Sequence, residues 1–457
     1  MKLHTNLPKV LCAFVLLCFA TAPSASAQQN NNGVFPYPIH TKKLANGMEV
    51  IAIPFDSPGL MTYSQVVRVG SRNEVEEGVT GFAHFFEHLM FYGSKKRGQA
   101  EIDRVSKSMG AGGNANTTND RTFYYLTGNA AKIETFFDLY SENFRNLYFS
   151  VEDFKKQAGA VLGEYTKNYS GWYRQMDAEV RRLSFKKHTY GHSTMGYEKD
   201  IKDMPNQYDY AWTFYERFYR PEYITVIVVG DIDPDQVFEL AEKYYGDWER
   251  GGYTADIEQE PAQEKEITGR IERGDVLPSL MMTYRTPAYA ANLKETVSLE
   301  IIATLLGSQR SDLYQKLVNE SQMAKGFFAF DGQSIDPRYF SIIVRADRGK
   351  EENLALMQKD IENAIETIKN KPQDAQLLAD IKSNRKYGFL GSLNNPQSIA
   401  STIASYYQLT GDANAINSYF ETLEAVTADD IMRTAKKYFI KKHRTVVIMS
   451  GDENGAL

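Results

Sequence analysis

Thr225-Val226-Ile227-Val228-Val229-Gly230-Asp231 is an unbroken apolar run closed by Gly-Asp, and Thr445-Val446-Val447-Ile448-Met449-Ser450-Gly451-Asp452 repeats it 220 residues later. Each run follows a helical stretch, 214–219 in the first case and 435–439 in the second. A continuous apolar run of this length predicts a strand buried on both faces. A helix feeding such a strand twice, at a fixed offset, predicts two similar α+β halves. Two unrelated buried strands would look alike too, so the rest of the chain has to support the repeat.

Around the first run, 48–54 is apolar and strand-like, and 61–69 alternates apolar and polar residues. Helical spacing marks 81–92, 131–146 and 151–169, and 116–126, rich in Thr and Tyr, predicts a strand. The second half opens with strand-like 267–271 and 280–284. Helical spacing follows over 293–306 and 312–320, then a strand over 339–345, then helices over 351–370, 375–390 and 396–409. Between the halves, 249–266 is rich in Gly, Glu and Gln, as an exposed linker is. The expected organisation is a domain over 37–248, a linker over 249–266 and a homologous domain over 267–457. Each is an α/β sandwich.

A chain of 457 residues is too long for one compact core, which agrees with two halves. The first 27 residues read as a secretory signal, with Lys2 and Lys9 at a positive start, an apolar stretch over 10–22, and Ala25-Ser26-Ala27 as the cleavage site. That stretch is short for a membrane span, and no span is expected after its removal. Cys18 follows Leu17, where a lipoprotein signal wants a small residue, so lipidation is not expected. Both cysteines, Cys12 and Cys18, fall in this segment, so a mature chain would hold no disulfide and rest on its cores. An exported protein, bacterial and periplasmic, is expected. Residues 28–36 begin polar and low in complexity and predict a loose N-terminus. The formal net charge is −6, and losing Lys2 and Lys9 makes it more negative. With no basic run, no nucleic-acid partner is expected.

The stretch that carries chemistry is His84-Phe85-Phe86-Glu87-His88, an H-x-x-E-H pattern inside an apolar run. Residues i and i+4 share a helix face, so His84 and His88 can bind one metal ion together. Glu87, at i+3, can reach a water on that ion. A carboxylate, Glu164, lies 76 residues beyond His88 on the expected helix 151–169, with its own approach to the metal. Two neutral imidazoles, one carboxylate and one open position describe a catalytic zinc site rather than a closed structural one. A solvated helix carboxylate is the alternative for Glu87. The second half has no such pattern, and its one histidine, His443, reads as a surface residue at a helix end.

These residues resemble the pitrilysin family of inverted-motif zinc metallopeptidases, of the two-domain, processing-peptidase-like type. Gly70-Ser71-Arg72-Asn73-Glu74 followed by Gly81-Phe82-Ala83-His84-Phe85-Phe86-Glu87-His88-Leu89-Met90-Phe91 is similar to its signature segment. Gly112-Gly113-Asn114-Ala115-Asn116-Thr117 resembles its substrate-strand segment, and His188-Thr189-Tyr190-Gly191-His192 and the Gly230-Asp231 strand end also fit. The resemblance implies two homologous α+β halves, one zinc ion per chain on His84, His88 and Glu164, and Glu87 as general base. It implies that Asn114 and Ala115 lie on an edge strand that receives an extended peptide. A Gly-Asn turn before a strand is the other reading of those two residues. His192 is read as a hydrogen-bonded loop residue outside the metal site. The implied activity is zinc-dependent endopeptidase action on peptides or unfolded polypeptide segments in a closed chamber built from two chains.

Two positions depart from the family pattern. Gln157 stands seven residues before Glu164, where the family often has a second glutamate. In the second half, alignment through Leu313-Tyr314-Gln315-Lys316-Leu317 puts Val318 and Lys325 where many active members carry an Arg and a Tyr that hold the substrate carbonyl. The expected partner is therefore a homologous chain supplying the Arg-Tyr pair, with a homodimer as the alternative. A shifted alignment would instead hand that role to Arg310, Tyr314 or Arg338. Two other functions stay open at this level: a non-catalytic assembly subunit, and a zinc hydrolase acting on a non-peptide amide.

Overall fold

The computed structural model describes residues 33–274, 276–346 and 351–450. The expected signal segment, 1–27, and the Gly451-Asp452 pair lie outside them. Strands β1 (His40–Lys43), β2 (Glu49–Pro54), β3 (Leu60–Val67), β4 (Gly112–Thr117), β5 (Thr122–Asn129) and β6 (Ile224–Gly230) form one mixed sheet in the order β1-β2-β6-β3-β5-β4. Its helices are α1 (Phe82–Leu89), α2 (Gln99–Ser108), α3 (Ile133–Arg145), α4 (Val151–Tyr169), α5 (Trp172–Ser184), α6 (Glu198–Asp203), α7 (Tyr208–Phe218) and α8 (Pro234–Tyr245).

The second half repeats this plan. Strands β7 (Ile267–Glu272), β8 (Ser279–Arg285), β9 (Ala324–Asp331), β10 (Tyr339–Ala346) and β11 (Arg444–Ser450) pair in the order β7-β11-β8-β10-β9. Helices α9 (Lys294–Gly307), α10 (Asp312–Tyr314, continued by a π-helix Gln315–Glu320), α11 (Glu352–Asn370), α12 (Ala375–Ser392), α13 (Pro396–Thr410), α14 (Ala415–Ala425) and α15 (Ala428–Tyr438) complete it. Leaving out β1, the two sheets have the same strand order. In each, the repeated apolar run lies parallel to the first strand: Thr225 opposite Glu49, and Thr445 opposite Ile267. Gly230 closes β6 at φ +134°, where a Cβ would lie 2.4 Å from the Leu60 carbonyl oxygen. Only glycine fits that close approach.

The apolar runs are continuous because helices cover both faces of each sheet. One face of the first sheet carries Val50, Tyr63 and Val67 against Phe85, Phe86, Phe136 and Phe137. The other carries Ile51, Ile53, Val66, Phe123, Ile227 and Val229, and it is buried by α13 of the second half through Ile399, Ile403 and Tyr407. The exchange is reciprocal. Met176 and Val180 of α5, in the first half, pack on Met281, Ile343, Val447 and Met449 of the second sheet. Each such side chain contributes roughly 1.5–3 kcal/mol by its burial, so parting the halves would expose a core rather than a rim. Among the described residues, no helix is long and apolar enough to cross a membrane.

Polar contacts fix the register of the halves. Asp336 accepts from Arg72 Nε at 2.5 Å and lies 2.9 Å from His188 Nε2. Tyr190 donates its hydroxyl to Asp120 at 2.6 Å, and Asp120 also accepts the Ile335 N–H at 3.2 Å. The His188-Thr189-Tyr190 segment is thus joined to the second half and not to the metal site.

Three expectations change. Residues 116–126 are not one strand: they span the end of β4, a turn and the start of β5. Thr118 Oγ1 accepts the N–H groups of Asp120 and Arg121 and reverses the chain there. The described part of the expected loose N-terminus, 33–36, is anchored. Phe35 is fully buried and donates its N–H to Asn417 Oδ1 at 2.9 Å. Strands β1 and β9 and helices α2, α5, α8 and α14 stand where no element was expected.

Burial alone would raise the Asp336 carboxyl, but hydrogen bonds from His188 and Arg72 outweigh it and hold it at about 2. A carboxyl held below its ordinary 3.8 adds stability above that value and loses it as pH falls through about 2. We expect Asp336→Asn to lower stability by about 1–3 kcal/mol near neutral pH. The melting-temperature gap to the wild type should shrink below pH 3.8. A gap that stays constant down to pH 2 would remove the ion pair as its cause.

Candidate active site

Helix α1 owes its position to a buried carboxyl group at its start. Gly81 begins it at φ +93°, with the site of a Cβ 2.6 Å from the Met195 carbonyl oxygen. The carboxylate of Glu74 accepts the N–H of Gly81 at 2.8 Å and of Ala83 at 2.7 Å. An acidic group there satisfies orphan donors and faces the positive end of the helix dipole. Burial drives the Glu74 pKa up, the two N–H bonds pull it down and Asp200 pushes it up again, to about 8. Phe82, Phe85, Phe86 and Leu89 are buried on the core face of α1. That leaves His84, Glu87 and His88 along its other side.

Helix α4 starts with a reciprocal cap between Ser150 and Asp153. Phe154, Ala158, Val161 and Tyr165 form its buried stripe. Gln157 and Glu164 lie two turns apart beside that stripe, and both reach the histidines of α1. Donor atoms of His84, His88 and Glu164 all lie within 4.8 Å of one another. The two Nε2 atoms are 3.3 Å apart, and Glu164 Oε2 is 3.4 Å from His88 Nε2 and 3.7 Å from His84 Nε2. Tetrahedral zinc with bonds near 2.05 Å requires ligand atoms about 3.3 Å apart, so this donor set fits it. Burial and the neighbouring His88 push the His84 pKa down against the pull of Glu164. Burial likewise lowers His88. Both imidazoles are neutral near pH 7, as metal ligation requires.

The amide of Gln157 lies 2.8 Å from His88 Nδ1 and 3.3 Å from the Tyr92 hydroxyl. For His88 Nε2 to hold a free lone pair, Nδ1 must carry the proton, and the amide must turn its oxygen toward it. Gln157 thereby performs the orienting task of a carboxylate without the charge. His84 Nδ1 is buried and has no hydrogen-bond partner among the described residues. Glu164 also accepts from Asn168 Nδ2 at 3.2 Å. Glu87 accepts the Thr117 hydroxyl at 2.6 Å. Burial raises the Glu87 pKa, partly countered by Thr117 and reinforced by Glu164. A carboxyl moved toward neutrality beside a metal water is suited to proton transfer.

Thr117 ends β4, the outer strand of the first sheet. Asn114 is exposed on it, and its Oδ1 accepts the N–H of Ala115 at 2.9 Å. His192 is buried against Glu74, at 3.6 Å from its carboxylate, and is not a member of the metal cluster. Thr117, Asn168 and Glu74 have site roles that sequence reasoning did not assign. The first and last stand inside the two quoted motif segments, which was the available signal. Val318 falls in the π-helix, partly buried against the second-half core, and Lys325 is exposed on β9.

Two histidines and a glutamate converging beside a partly buried glutamate have the donor set of a mononuclear metal centre of hydrolytic type. Residues 61–198 match the family model described as Insulinase (Peptidase family M16), and residues 207–385 match that of the Peptidase M16 inactive domain. The chain belongs to the M16 peptidase family. It is 26% identical over 425 residues to the zinc protease PqqE of Helicobacter pylori, covering 89% of this chain and 91% of that one. It is 22% identical to the beta subunit of the mitochondrial-processing peptidase of Saccharomyces cerevisiae, covering 86% and 87%. A crystal structure of a protease from Helicobacter pylori is similar at TM-score 0.83 and 25% identity, covering 90% of this chain and 99% of that one. The periplasmic protease PqqL of Escherichia coli shares the fold at TM-score 0.73 and 19% identity, with 95% of this chain on 49% of that one.

Two substitutions separate ligand from support. Glu164→Gln should abolish stoichiometric metal binding, since it removes the charged ligand. Gln157→Leu should keep the ligands but weaken zinc affinity by roughly 10–100-fold, because His88 loses its orienting partner. Competition with a chelating dye measures both, and unchanged zinc affinity in either variant would refute the role given to that residue.

Proposed function

We propose that this chain is a zinc-dependent endopeptidase that hydrolyses peptides or unfolded polypeptide segments. The observation that carries the reading is the convergence of His84, His88 and Glu164, with Glu87 held beside them by Thr117. Zinc bound there supplies Lewis acidity and lowers the pKa of a coordinated water toward neutrality. Glu87 would accept a proton from the attacking water and deliver it to the amide nitrogen as the C–N bond breaks. Thr117 holds one carboxylate oxygen of Glu87 and leaves the other to move the proton. The open edge of β4 receives the substrate main chain as an added strand, with Asn114 Oδ1 yielding the Ala115 N–H. Backbone pairing of this kind favours extended, unfolded segments over folded ones.

The substrate carbonyl also needs a clamp, since orientation contributes much of the rate. Neither Val318 nor Lys325 has the chemistry of the Arg-Tyr pair. Arg338, a candidate under a shifted alignment, stacks its guanidinium 5.2 Å from the Tyr339 ring centroid instead. We place the clamp on a homologous partner chain, in a two-chain chamber of which this chain is the zinc-bearing subunit. Relatives named periplasmic protease, together with the Lys2–Ala27 signal pattern, favour export to the periplasm.

Glu87→Gln should retain one zinc per chain and reduce peptide cleavage by about 100-fold or more. Retained activity would sink the base role, and lost zinc would make Glu87 structural. The purified chain should cleave a peptide mixture weakly alone and much faster after addition of the homologous chain. Full activity of a pure homo-oligomer would place the clamp in this chain.

A further inference from the structure

A cavity of about 470 Å³ opens next to the metal cluster. It lies between the last turns of α4, the first turns of α5, the segment 191–198 and Ile271 of β7. Asn168 joins it to the cluster, because it lines the cavity and donates to the ligand Glu164 at 3.2 Å. Tyr165 and Tyr169 supply a stacked aromatic wall, with ring centroids 5.3 Å apart.

The charges of the wall sort by partner. Asp177 is held by Arg181 at 2.7 Å and by the Tyr339 hydroxyl at 3.1 Å. Glu179 is gripped at two points by Arg182, at 2.6 and 2.7 Å. Glu198 pairs with Lys202 at 2.7 Å. Arg174 also lines the cavity, and no carboxylate of the described residues lies within ion-pairing distance of it. His192 also lines the cavity, but its unpartnered ring nitrogen is closed to solvent. His192 is 4% exposed, its Nδ1 is bonded to the Ser193 carbonyl at 2.9 Å, and its Nε2 is buried without a hydrogen-bond partner among the described residues. One free guanidinium and an aromatic wall suit a ligand with a carboxylate on a short apolar stem.

We infer that this cavity is a side-chain subsite beside the scissile bond and that Arg174 selects substrates carrying a carboxylate there. The inference rests on the peptidase reading and names the substrate class it acts on. The carboxylate can come from a Glu or Asp side chain or from the peptide's own C-terminus. Arg174 is exposed and its pairing is open to solvent, so the selectivity is of the order of fivefold rather than a thousandfold.

The test uses the full mature chain carrying Glu87→Gln, loaded with zinc, alone and with its homologous partner. Fluorescein-labelled peptides with Glu, Gln or Lys at each of three positions on either side of one cleavage site are compared by anisotropy, with free and amidated C-termini. The Glu peptide should bind about fivefold tighter than the Gln peptide at one position. That preference should vanish in Glu87→Gln/Arg174→Gln and turn toward Lys in Glu87→Gln/Arg174→Glu. A preference abolished by amidation assigns the C-terminal carboxylate as the ligand, and one that survives assigns the side chain. An unchanged preference in the Arg174 variants, or none in the parent, overturns the inference. Cleavage by the chain with Glu87 intact is followed in parallel. Cleavage without charge preference removes the subsite and leaves the peptidase. Arg174-dependent binding without cleavage under any condition removes the peptidase and leaves the binding site.

Discussion

The exchange of α5 and α13 between the halves is the constraint on which the site depends. Helix α4 brings Glu164 to the histidines of α1, and the chain then turns at Ser170 and Gly171 into α5, whose Met176 and Val180 belong to the core of the second sheet. The helix that carries Glu164 is therefore tethered at one end to the first half and at the other to the second. A metal site tolerates errors of only a few tenths of an ångström in its ligands. The second half, without a metal motif of its own, sets one boundary condition of that geometry. Loosening the Arg72–Asp336–His188 contact would reach the zinc site through α5 and α4, without touching any ligand.

Electrostatics around the site are arranged by burial. The Glu74 carboxylate sits in apolar surroundings against the N-terminus of α1, where the backbone supplies its donors and the helix gains a fixed starting point. The same burial keeps His84 and His88 neutral, so their lone pairs are available to a cation. Glu164 remains half-exposed and open to the cleft. One helix end is thus built around a buried carboxyl group, and the middle of that helix presents donors suited to a cation.

Short-range features were legible in the sequence. The two apolar runs announced the halves because a strand covered on both faces needs no polar residues. His84, Glu87 and His88 announced the metal face because helical spacing alone puts them together. Glu164 was placed on its helix by the stripe of Phe154, Ala158, Val161 and Tyr165. What the sequence could not convey is set by distant partners. Strand β4, Gly112 to Thr117, has almost no strand propensity and exists because β5 pairs with it. Helix α2 buries none of its residues fully, so no apolar stripe marked it. Phe35 reads as part of a tail until Asn417, 382 residues away, accepts its N–H. The exchanged helices leave no local trace, since an apolar face looks the same whichever sheet it covers.

The two halves share a strand order but have diverged beyond β3 and β8. In the first, α1 carries His84 and His88 of the candidate metal site, and the strand next to it, β4, ends at Thr117 on Glu87. In the second, α9 is buried along much of its length and its Glu300 is taken up by Arg385, Tyr419 and Gln333 in a closed network. This carboxylate is already neutralised by an arginine and held by two further donors, so this helix contributes packing where its counterpart presents the candidate metal site. The π-helix between α10 and β9 inserts a wider turn just before the second edge strand, and wide turns of this kind recur at functional sites. With Val318 inside that turn, the backbone device is retained while the side chain that would use it is apolar. This asymmetry is what the proposed two-chain chamber would use: one half of each chain is free to specialise once the missing function is supplied across an interface.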